Sequence, residues 1–477
     1  MTTNERVPAG TAELGMVGLG VMGRNLLLNL AEHGFPAVGC DLDPEQVRAL
    51  EREGAGLPVR GVADLAALAA ALRPPRAVLL LVPAGAPVDR ALAELGPHLA
   101  PGDLVMDGGN SHFRDSDRRA AELEAWGLAF LGLGVSGGER GARRGPSLMA
   151  GGPEPAYRRV APLLEAVAAR AGGEPCVARL GSGSAGHFVK MVHNGIEYAL
   201  MELLAEAYAL ARNGLGLDNR AIRQAFLHWQ EDGLDGYLME ITAAILARRD
   251  PESGGDLLDA VLGVAGQKGT GMWTSQAALE LQVPVPTLDA AVAQRDLSAL
   301  ADQRGQASSL LARPREPFRG DRDAFLADLG QALHAGAVLA FAQGMALLQA
   351  ASTAYGYGLV LAQVARVWRG GCIIRTGLLE PLAAACARRP GLANPLLDAG
   401  LAGLVRELEP GLRATAVQGV QLGESIPGLL SALAYLDGYR SAWLPANLIQ
   451  AQRDCFGAHG YQRVDRPGRF HSDWESE

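Results

Sequence analysis

The string Gly18-Leu19-Gly20-Val21-Met22-Gly23 constrains this chain more than any other feature. It follows the apolar run Leu14–Val17 and opens the helical pattern Asn25–His33, so it stands at a strand-to-helix turn. In that setting each glycine has a reason. Gly18 permits the tight turn, Gly20 lets backbone N–H groups approach a pyrophosphate, and Gly23 lets the helix pack closely on the strand. The phosphates would rest on the helix N-terminus, whose unpaired N–H groups favour negative charge. Asp41 ends the next apolar run, 18 positions after Gly23, where such a turn places a carboxylate for ribose hydroxyls. A glycine-rich string alone is an ordinary turn. In this context it predicts dinucleotide binding through Gly18, Leu19, Gly20, Val21, Met22, Gly23 and Asp41.

Further apolar runs at Ala37–Cys40, Ala77–Val82, Leu104–Met106 and Ala129–Leu133 alternate with alanine-rich helical stretches. That rhythm predicts βαβ units wound into a parallel sheet, with Ala63–Ala71 a surface helix. After Gly181-Ser182-Gly183-Ser184 the strand rhythm stops, and helical patterns run nearly to Ala442. The expected organisation is an extension at 1–13, an α/β Rossmann-type dinucleotide-binding domain at 14–180, and a large all-α substrate and dimerisation domain at 181–442. A C-terminal tail at 443–477 follows, with a short helix that Pro445 opens. A chain of 477 residues is too long for one hydrophobic core, which agrees.

The formal net charge is −9 and no Lys/Arg-rich run occurs, which argues against nucleic acid or an anionic membrane as partner. An anionic ligand must then be met by a few cations that the fold assembles. Cys40, Cys176, Cys372, Cys386 and Cys455 are scattered, without metal-ligand spacing, and are expected to be reduced thiols with no metal bound. Met1–Glu13 lacks a basic-then-apolar leader pattern and no apolar run reaches about 18 residues, so a cytoplasmic location is expected.

The run Gly186–Tyr198 begins the helical part directly after the nucleotide fold. At about 100° per residue, Val189, Val192, Ile196, Ala199 and Leu203 share one side. Lys190, His193, Asn194 and Glu197 fall in an adjacent arc and span roughly 10 Å along the axis, comparable with an extended small sugar acid. A solvated face with a Lys/Glu pair is the plain alternative. Against it, Gly195 inside the helix costs about 1 kcal/mol, and His and Asn are poor helix formers. In a desolvated cleft a lysine of lowered pKa serves as general base and a glutamate of raised pKa as general acid.

Several segments together resemble the decarboxylating 6-phosphogluconate dehydrogenase family over almost the whole chain. They are Gly18–Gly23, Asp107–Ser111, Val135–Gly138, Gly141–Arg143, Gly145–Met149, Gly186–Tyr198, Gly266–Gly271, Trp368–Arg375, and Pro445–Arg453 with Phe456–His459. The resemblance implies oxidative decarboxylation of 6-phosphogluconate to ribulose 5-phosphate and CO2, with reduction of NAD or NADP and no metal. It implies that Lys190 takes the proton of the C3 hydroxyl and that Glu197 protonates the enediol left after CO2 departs. It places Asn110, Ser136, Gly137, Gly138, His193 and Asn194 around the sugar acid, and Tyr198, Lys268, Arg295, Arg453 and His459 at its phosphate. Val82, Pro83, Ala84 and Asn110 join the cofactor site. It also implies a homodimer whose tail brings Arg453 and His459 into the neighbouring active site.

This chain departs from the family at a few positions. Asp41-Leu42-Asp43 stands where Asn-Arg-Thr is usual, Pro83 replaces a common Lys, Arg140 a Glu, Met272 a Lys and Cys455 a Tyr. With two carboxylates and no guanidinium at 41–43, NAD is expected over NADP unless Arg48 or Arg76 supplies a cation. Two other readings compete: a related β-hydroxyacid dehydrogenase, and a nucleotide-binding protein without catalysis. The helical second half and the Arg/His tail speak against the first, and intact Lys190, His193, Asn194 and Glu197 against the second.

Overall fold

The computed structural model describes residues 7–312, 314 and 316–474. The first six residues of the expected extension and the last three of the tail lie outside the described residues.

The first half is a twisted eight-stranded sheet flanked by helices. Its strands are β1 (Leu14–Val17), β2 (Ala37–Cys40), β3 (Val59–Val62), β4 (Ala77–Leu80), β5 (Leu104–Asp107), β6 (Ala129–Ser136) and β7 (Ser147–Gly151). A two-residue hairpin, β8 (Arg170–Ala171) with β9 (Glu174–Pro175), precedes the last sheet strand β10 (Val177–Gly181). The order across the sheet is β10-β7-β6-β5-β4-β1-β2-β3. β1, β2, β4 and β5 are buried at every position, as continuous apolar runs covered on both faces should be.

Chain order reverses at β1, which pairs with β2 on one side and β4 on the other. The register sets Val17 opposite Cys40 and Leu80, and Leu80 opposite Asp107, so the strand ends are level. The turns at Gly18–Gly23, Asp41–Asp43, Leu81–Gly85 and Gly108–Ser111 therefore emerge together along one edge. This is the crevice where open α/β sheets take their ligands.

The sheet departs from the sequence expectations in two ways. The sheet is not wholly parallel, because β6 and β7 pair antiparallel from Gly132–Gly151 to Ser136–Ser147. β3, β7 and β10 were not anticipated: β3 is only partly buried and mixes Arg60 and Gly61 with two valines, while β7 returns antiparallel after β6 and β10 follows it in parallel through the helix Glu154–Val167. The alanine-rich segment forms a surface helix, Leu65–Ala71, with Ala66 and Ala70 exposed and Leu68 and Ala71 on the face that meets the core.

Past Gly181 the described chain is helical. The helix Ala185–Ala209, called the site helix below, runs through the middle of the molecule. Thr270–Glu280, Pro286–Ala299 and the long helix Arg322–Ala354 pack around it, and Ala399–Leu422 lies on the far side of the last. Arg322–Ala354 is long and apolar enough to cross a membrane, contrary to the expectation of no such run, yet most of its apolar stretch is buried as a core helix. Asp218, Asp321 and Asp398 cap their helices by accepting backbone N–H bonds, which satisfies donors the first turn leaves unpaired. Glu206 does this at a distance: its carboxylate accepts from Gly428 N at 2.6 Å and Leu429 N at 2.8 Å, pinning the helix Pro427–Tyr439 to the site helix.

Glycines decide how closely the site helix meets the sheet. A Cβ on Gly186 would lie 2.3 Å from the Gly132 carbonyl oxygen and 2.4 Å from that of Met149. One on Gly134 would lie 2.5 Å from Lys190 Cβ. Further along, a Cβ on Gly195 would strike Thr274 at 2.6 Å, which explains the glycine that looked costly inside a helix. The contacts at Gly186 are with backbone atoms that cannot yield. Gly186→Ala is therefore expected to destabilise the protein by about 1–3 kcal/mol through overpacking, outweighing a propensity gain of about 1 kcal/mol. A urea denaturation midpoint equal to that of the parent protein would contradict this packing.

Candidate active site

The first turns of the site helix lie against β6, so the helix delivers its polar arc to the level strand ends rather than to solvent. Lys190, His193 and Asn194 are all buried, with His193 fully so. Lys190 Nζ donates to Asn194 Oδ1 at 2.8 Å and lies 3.3 Å from His193 Nδ1. His193 Nε2 lies 3.3 Å from Ser136 Oγ at the end of β6. Asn194 Nδ2 donates to Thr270 Oγ1 at 3.2 Å, tying the arc to the helix Thr270–Glu280. Glu197 sits one turn further, its Oε2 3.9 Å from His193 Nδ1.

Burial controls the protonation of this group. Desolvation lowers the Lys190 pKa, although the nearby charges of Glu197 and Cys372 oppose that fall. Desolvation also raises the Glu197 pKa against the pull of Lys190 and Arg295. Burial, with the Lys190 charge beside it, holds His193 well below its usual value. Each group is driven toward its neutral form.

The phosphate candidates divide. Arg295 lies over the Tyr198 ring, its guanidinium carbon 3.5 Å from the ring centre, and donates to the Gly266 carbonyl at 3.2 Å. Lys268 stands exposed on the loop before Thr270. Arg453 and His459 find their partners inside the tail: Arg453 donates to Gln450 at 3.1 Å and the His459 ring meets Phe456 at 5.8 Å. Within the single chain, no hydrogen bond or ion pair among the described residues links either of them to the site helix. Asn110 is exposed at the tip of the β5 loop.

On the carboxylate side, Gly137 and Gly138 turn with φ of 114° and 60°, which only glycine adopts freely. The segment after the helix Leu361–Val367 closes over that turn. A Cβ on Gly137 would meet the Gly371 carbonyl oxygen at 2.6 Å, and Ser147 N donates to the same oxygen at 2.8 Å. Trp368 and Cys372 from this segment are buried, and the Trp368 ring lies edge-on to His193 at 5.7 Å. Burial pushes the Cys372 thiol up to about 12.

The glycine-rich turn fits a dinucleotide. Gly18 has φ of 94°, and a Cβ on Gly23 would fall 1.9 Å from the Gly18 oxygen. A Cβ on Gly20 would meet nothing within 4 Å, so the start of the helix Val21–Glu32 borders open space suited to a pyrophosphate. Leu19 is buried beneath the turn, while Val21 and Gly20 are exposed and Met22 is partly so. Val82, Pro83 and Ala84 leave the adjacent β4 end, with Pro83 and Ala84 exposed. Asp41 holds the turn itself: Oδ2 accepts from Leu19 N at 2.6 Å and Oδ1 from Asp43 N at 2.9 Å. Asp43 caps the next helix through Glu45 N. Arg48 is paired with Glu45, and Arg76 with Asp103. Among the described residues, no group of three or more His, Cys, Asp or Glu side chains is arranged to hold a metal ion.

Sequence reasoning did not single out Thr270, Trp368, Cys372, Arg119 or His187. The first three lay inside recognised segments without a role, and the last two are buried one layer behind the site.

Two family models match this chain in succession. The NAD binding domain of 6-phosphogluconate dehydrogenase covers residues 13–181, and the 6-phosphogluconate dehydrogenase C-terminal domain covers 186–474. The Bacillus subtilis NADP(+)-dependent, decarboxylating 6-phosphogluconate dehydrogenase is 43% identical over 97% of this chain and 99% of that protein. The decarboxylating enzyme of Ovis aries is 46% identical over 97% of this chain and 96% of its own length. The Plasmodium falciparum 6-phosphogluconate dehydrogenase, solved without ligand, with NADP+ and with 6-phosphogluconate, superposes with a TM-score of 0.94 at 38% identity, covering 97% of this chain and all of that one. With the lysine-bearing helix seated at the mouth of a dinucleotide fold and both halves matched in order, this chain belongs to the decarboxylating 6-phosphogluconate dehydrogenase family.

Proposed function

We propose that Lys190 and Glu197 divide the acid–base work of converting 6-phosphogluconate to ribulose 5-phosphate and CO2. The observation that carries this is their pairing on one buried helix face with opposite pKa shifts. A nicotinamide dinucleotide held by Gly18–Gly23 and the loop 82–84 supplies the acceptor for the hydride of substrate C3. Lys190, whose neutral amine burial favours, takes the proton of the C3 hydroxyl as the C3–H bond breaks. The resulting ammonium then polarises the C3 ketone, a sink for the electrons of the C1–C2 bond, so CO2 leaves without further assistance. Lys190 returns its proton to the C3 oxygen as the enediol forms. Glu197, whose protonated form burial favours, donates to the carbon that lost CO2 while Lys190 takes back the proton of the C3 hydroxyl, leaving the ketone of the product.

Ser136, the Gly137-Gly138 turn, Asn110, His193 and Asn194 bind and orient the carboxylate end. Tyr198, Lys268 and Arg295 bind the phosphate, and an arginine fork suits that anion. Replacing Lys190 by Met is expected to lower turnover by at least about 10²- to 10⁴-fold, while equilibrium titration still detects substrate binding. The pH profile of the parent protein should rise as Lys190 loses its proton and fall as Glu197 loses its own, and Glu197→Gln should remove one limb. Near-normal turnover of the Lys190 variant, followed by absorbance of the reduced cofactor, would sink this assignment.

The reading includes a homodimer in which the tail completes the partner's phosphate site with Arg453 and His459. Its support is that the tail helix Ala446–Gly457 buries only Asp454, while Trp443, Leu448, Ile449 and Phe456 are each more than half exposed. A concentration of large exposed apolar side chains in one short segment fits an interaction site. Deleting residues 445–477 should abolish activity and shift sedimentation toward a monomer. A fully active truncated protein would refute the tail's role.

The cofactor preference we propose is NAD over NADP. Asp41 is fixed beside the turn by two backbone bonds, yet a carboxylate has lone pairs left for a ribose hydroxyl. A phosphate on that hydroxyl would meet like charge, worth about 4 kcal/mol at 4 Å and an effective dielectric near 20, before screening. The alternative cations are engaged elsewhere, Arg48 by Glu45 and Arg76 by Asp103. The expected result is a kcat/KM ratio favouring NAD by about tenfold or more, and a tenfold NADP preference would show that Asp41 does not face the ribose.

A further inference from the structure

Behind the residues that meet the ligands lies a buried ion network with no role in the chemistry above. Arg119, on the helix Phe113–Glu124, is fully buried. Its guanidinium spreads across two loops. Toward the loop after β4 and the helix Ala86–Leu95 that leaves it, Nη2 donates to the loop's Gly85 carbonyl at 3.0 Å and Nε to the helical Asp89 Oδ1 at 2.8 Å. Toward the loop after β5, Nη1 donates to Asp107 Oδ2 at 3.3 Å and to Ser111 Oγ at 3.2 Å. Asp107 gathers that second loop around itself, accepting from Ser111 Oγ at 2.6 Å and Gly109 N at 3.0 Å. Its backbone carbonyl accepts from His187 Nε2 at 3.0 Å, and Ser116 Oγ meets the other ring nitrogen at 2.6 Å. The network thus reaches from the β4 loop through the β5 loop to the first turn of the site helix.

Val82–Ala84 and Asn110 sit on the two loops so joined. A Cβ on Gly109 would lie 3.1 Å from the Val82 carbonyl oxygen, so the loops already touch. A buried ion pair adds little stability over apolar side chains of equal volume. A planar guanidinium, by contrast, fixes the directions of several acceptors at once, which a lysine cannot do. We propose that Arg119 is a positioning residue for the oxidation step, holding the β4 loop against the β5 loop so that cofactor and substrate C3 meet at reacting distance. This rests on the functional reading above.

Arg119→Lys and Asp89→Asn test it. The first keeps the buried positive charge opposite Asp107 but loses the fork. The second leaves the Arg119–Asp107 pair and neutralises the half-exposed outer anchor, Asp89, which is shared with the surface residue Arg118 at 2.8 Å. Steady-state rates, cofactor Kd by calorimetric titration, the isotope effect with substrate deuterated at C3, and Tm are measured on parent and variants. A displacement of about 1 Å in reacting groups can cost on the order of 10²-fold in rate. Arg119→Lys is therefore expected to lower kcat by about tenfold or more, to raise the isotope effect and to weaken cofactor binding. Asp89→Asn should do the same to a smaller degree with Tm nearly unchanged. Parental kcat, isotope effect and cofactor Kd in the folded variants, with only Tm lowered, would overturn the proposal. If Arg119→Lys does not fold, a parental isotope effect and cofactor Kd in Asp89→Asn overturn it alone. Parent protein inactive on 6-phosphogluconate would overturn the functional reading instead, and the cofactor Kd values would still judge Arg119.

Discussion

The close approach of the site helix to the sheet is the constraint on which the rest of this molecule depends. A helix and a strand with ordinary side chains pack about 10 Å apart, too far for a lysine to be buried beside a strand end and still meet a ligand on the crevice. Glycines at 132, 134, 151 and 186 remove the side chains that would enforce that spacing. Lys190 is consequently sealed between β6 and the helical half, and His187 reaches the carbonyl of Asp107. The closeness is a property of the backbone, so it precedes the chemistry of the residues it brings in.

Once buried, Lys190 and Glu197 are governed by the contest between mutual attraction and loss of water. Attraction would push the lysine pKa up and the glutamate pKa down. Both move the other way, so desolvation wins at each site. The arrangement suits a reaction that needs a neutral base at its start and a neutral acid at its end. A solvent-exposed lysine and glutamate three or four positions apart on a helix would settle as an ion pair worth a few tenths of a kcal/mol, with neither group poised to move a proton.

This contest explains what was legible in the sequence. Periodicity placed Lys190, His193, Asn194 and Glu197 on one arc, and the buried runs of β1, β2, β4 and β5 announced a sheet with both faces covered. The cost of Gly195 was legible and spoke against a plain solvated face, but its reason, Thr274 packed against it, lies on another helix. β7 escaped notice since its antiparallel return beside β6 breaks the parallel βαβ rhythm. Arg119 looked like one charge among several in Arg114–Arg119, and only the fold reveals that its guanidinium is inside.

The tail presents the opposite balance, a segment ordered by polar bonds and left apolar on its surface. Asp454 is its one buried helical residue and accepts from Gly460 N, His471 Nδ1, Ser472 N and Trp474 Nε1 at 2.8–3.1 Å. Burial opposes the charge, yet the bonds from His471, Trp474, Ser472 and Gly460 hold the carboxyl well below the usual carboxylate range. A segment already shaped by its own hydrogen bonds loses less conformational freedom on docking than a floppy one, so more of its apolar contact remains as affinity. That is the requirement for delivering cations across an interface. In a chain of net charge −9, the field of the whole surface does not favour an anionic sugar phosphate. Its phosphate must instead be met by a few groups held at fixed distances, and in the proposed dimer the Asp454-centred frame would hold Arg453 and His459 at such distances from each other.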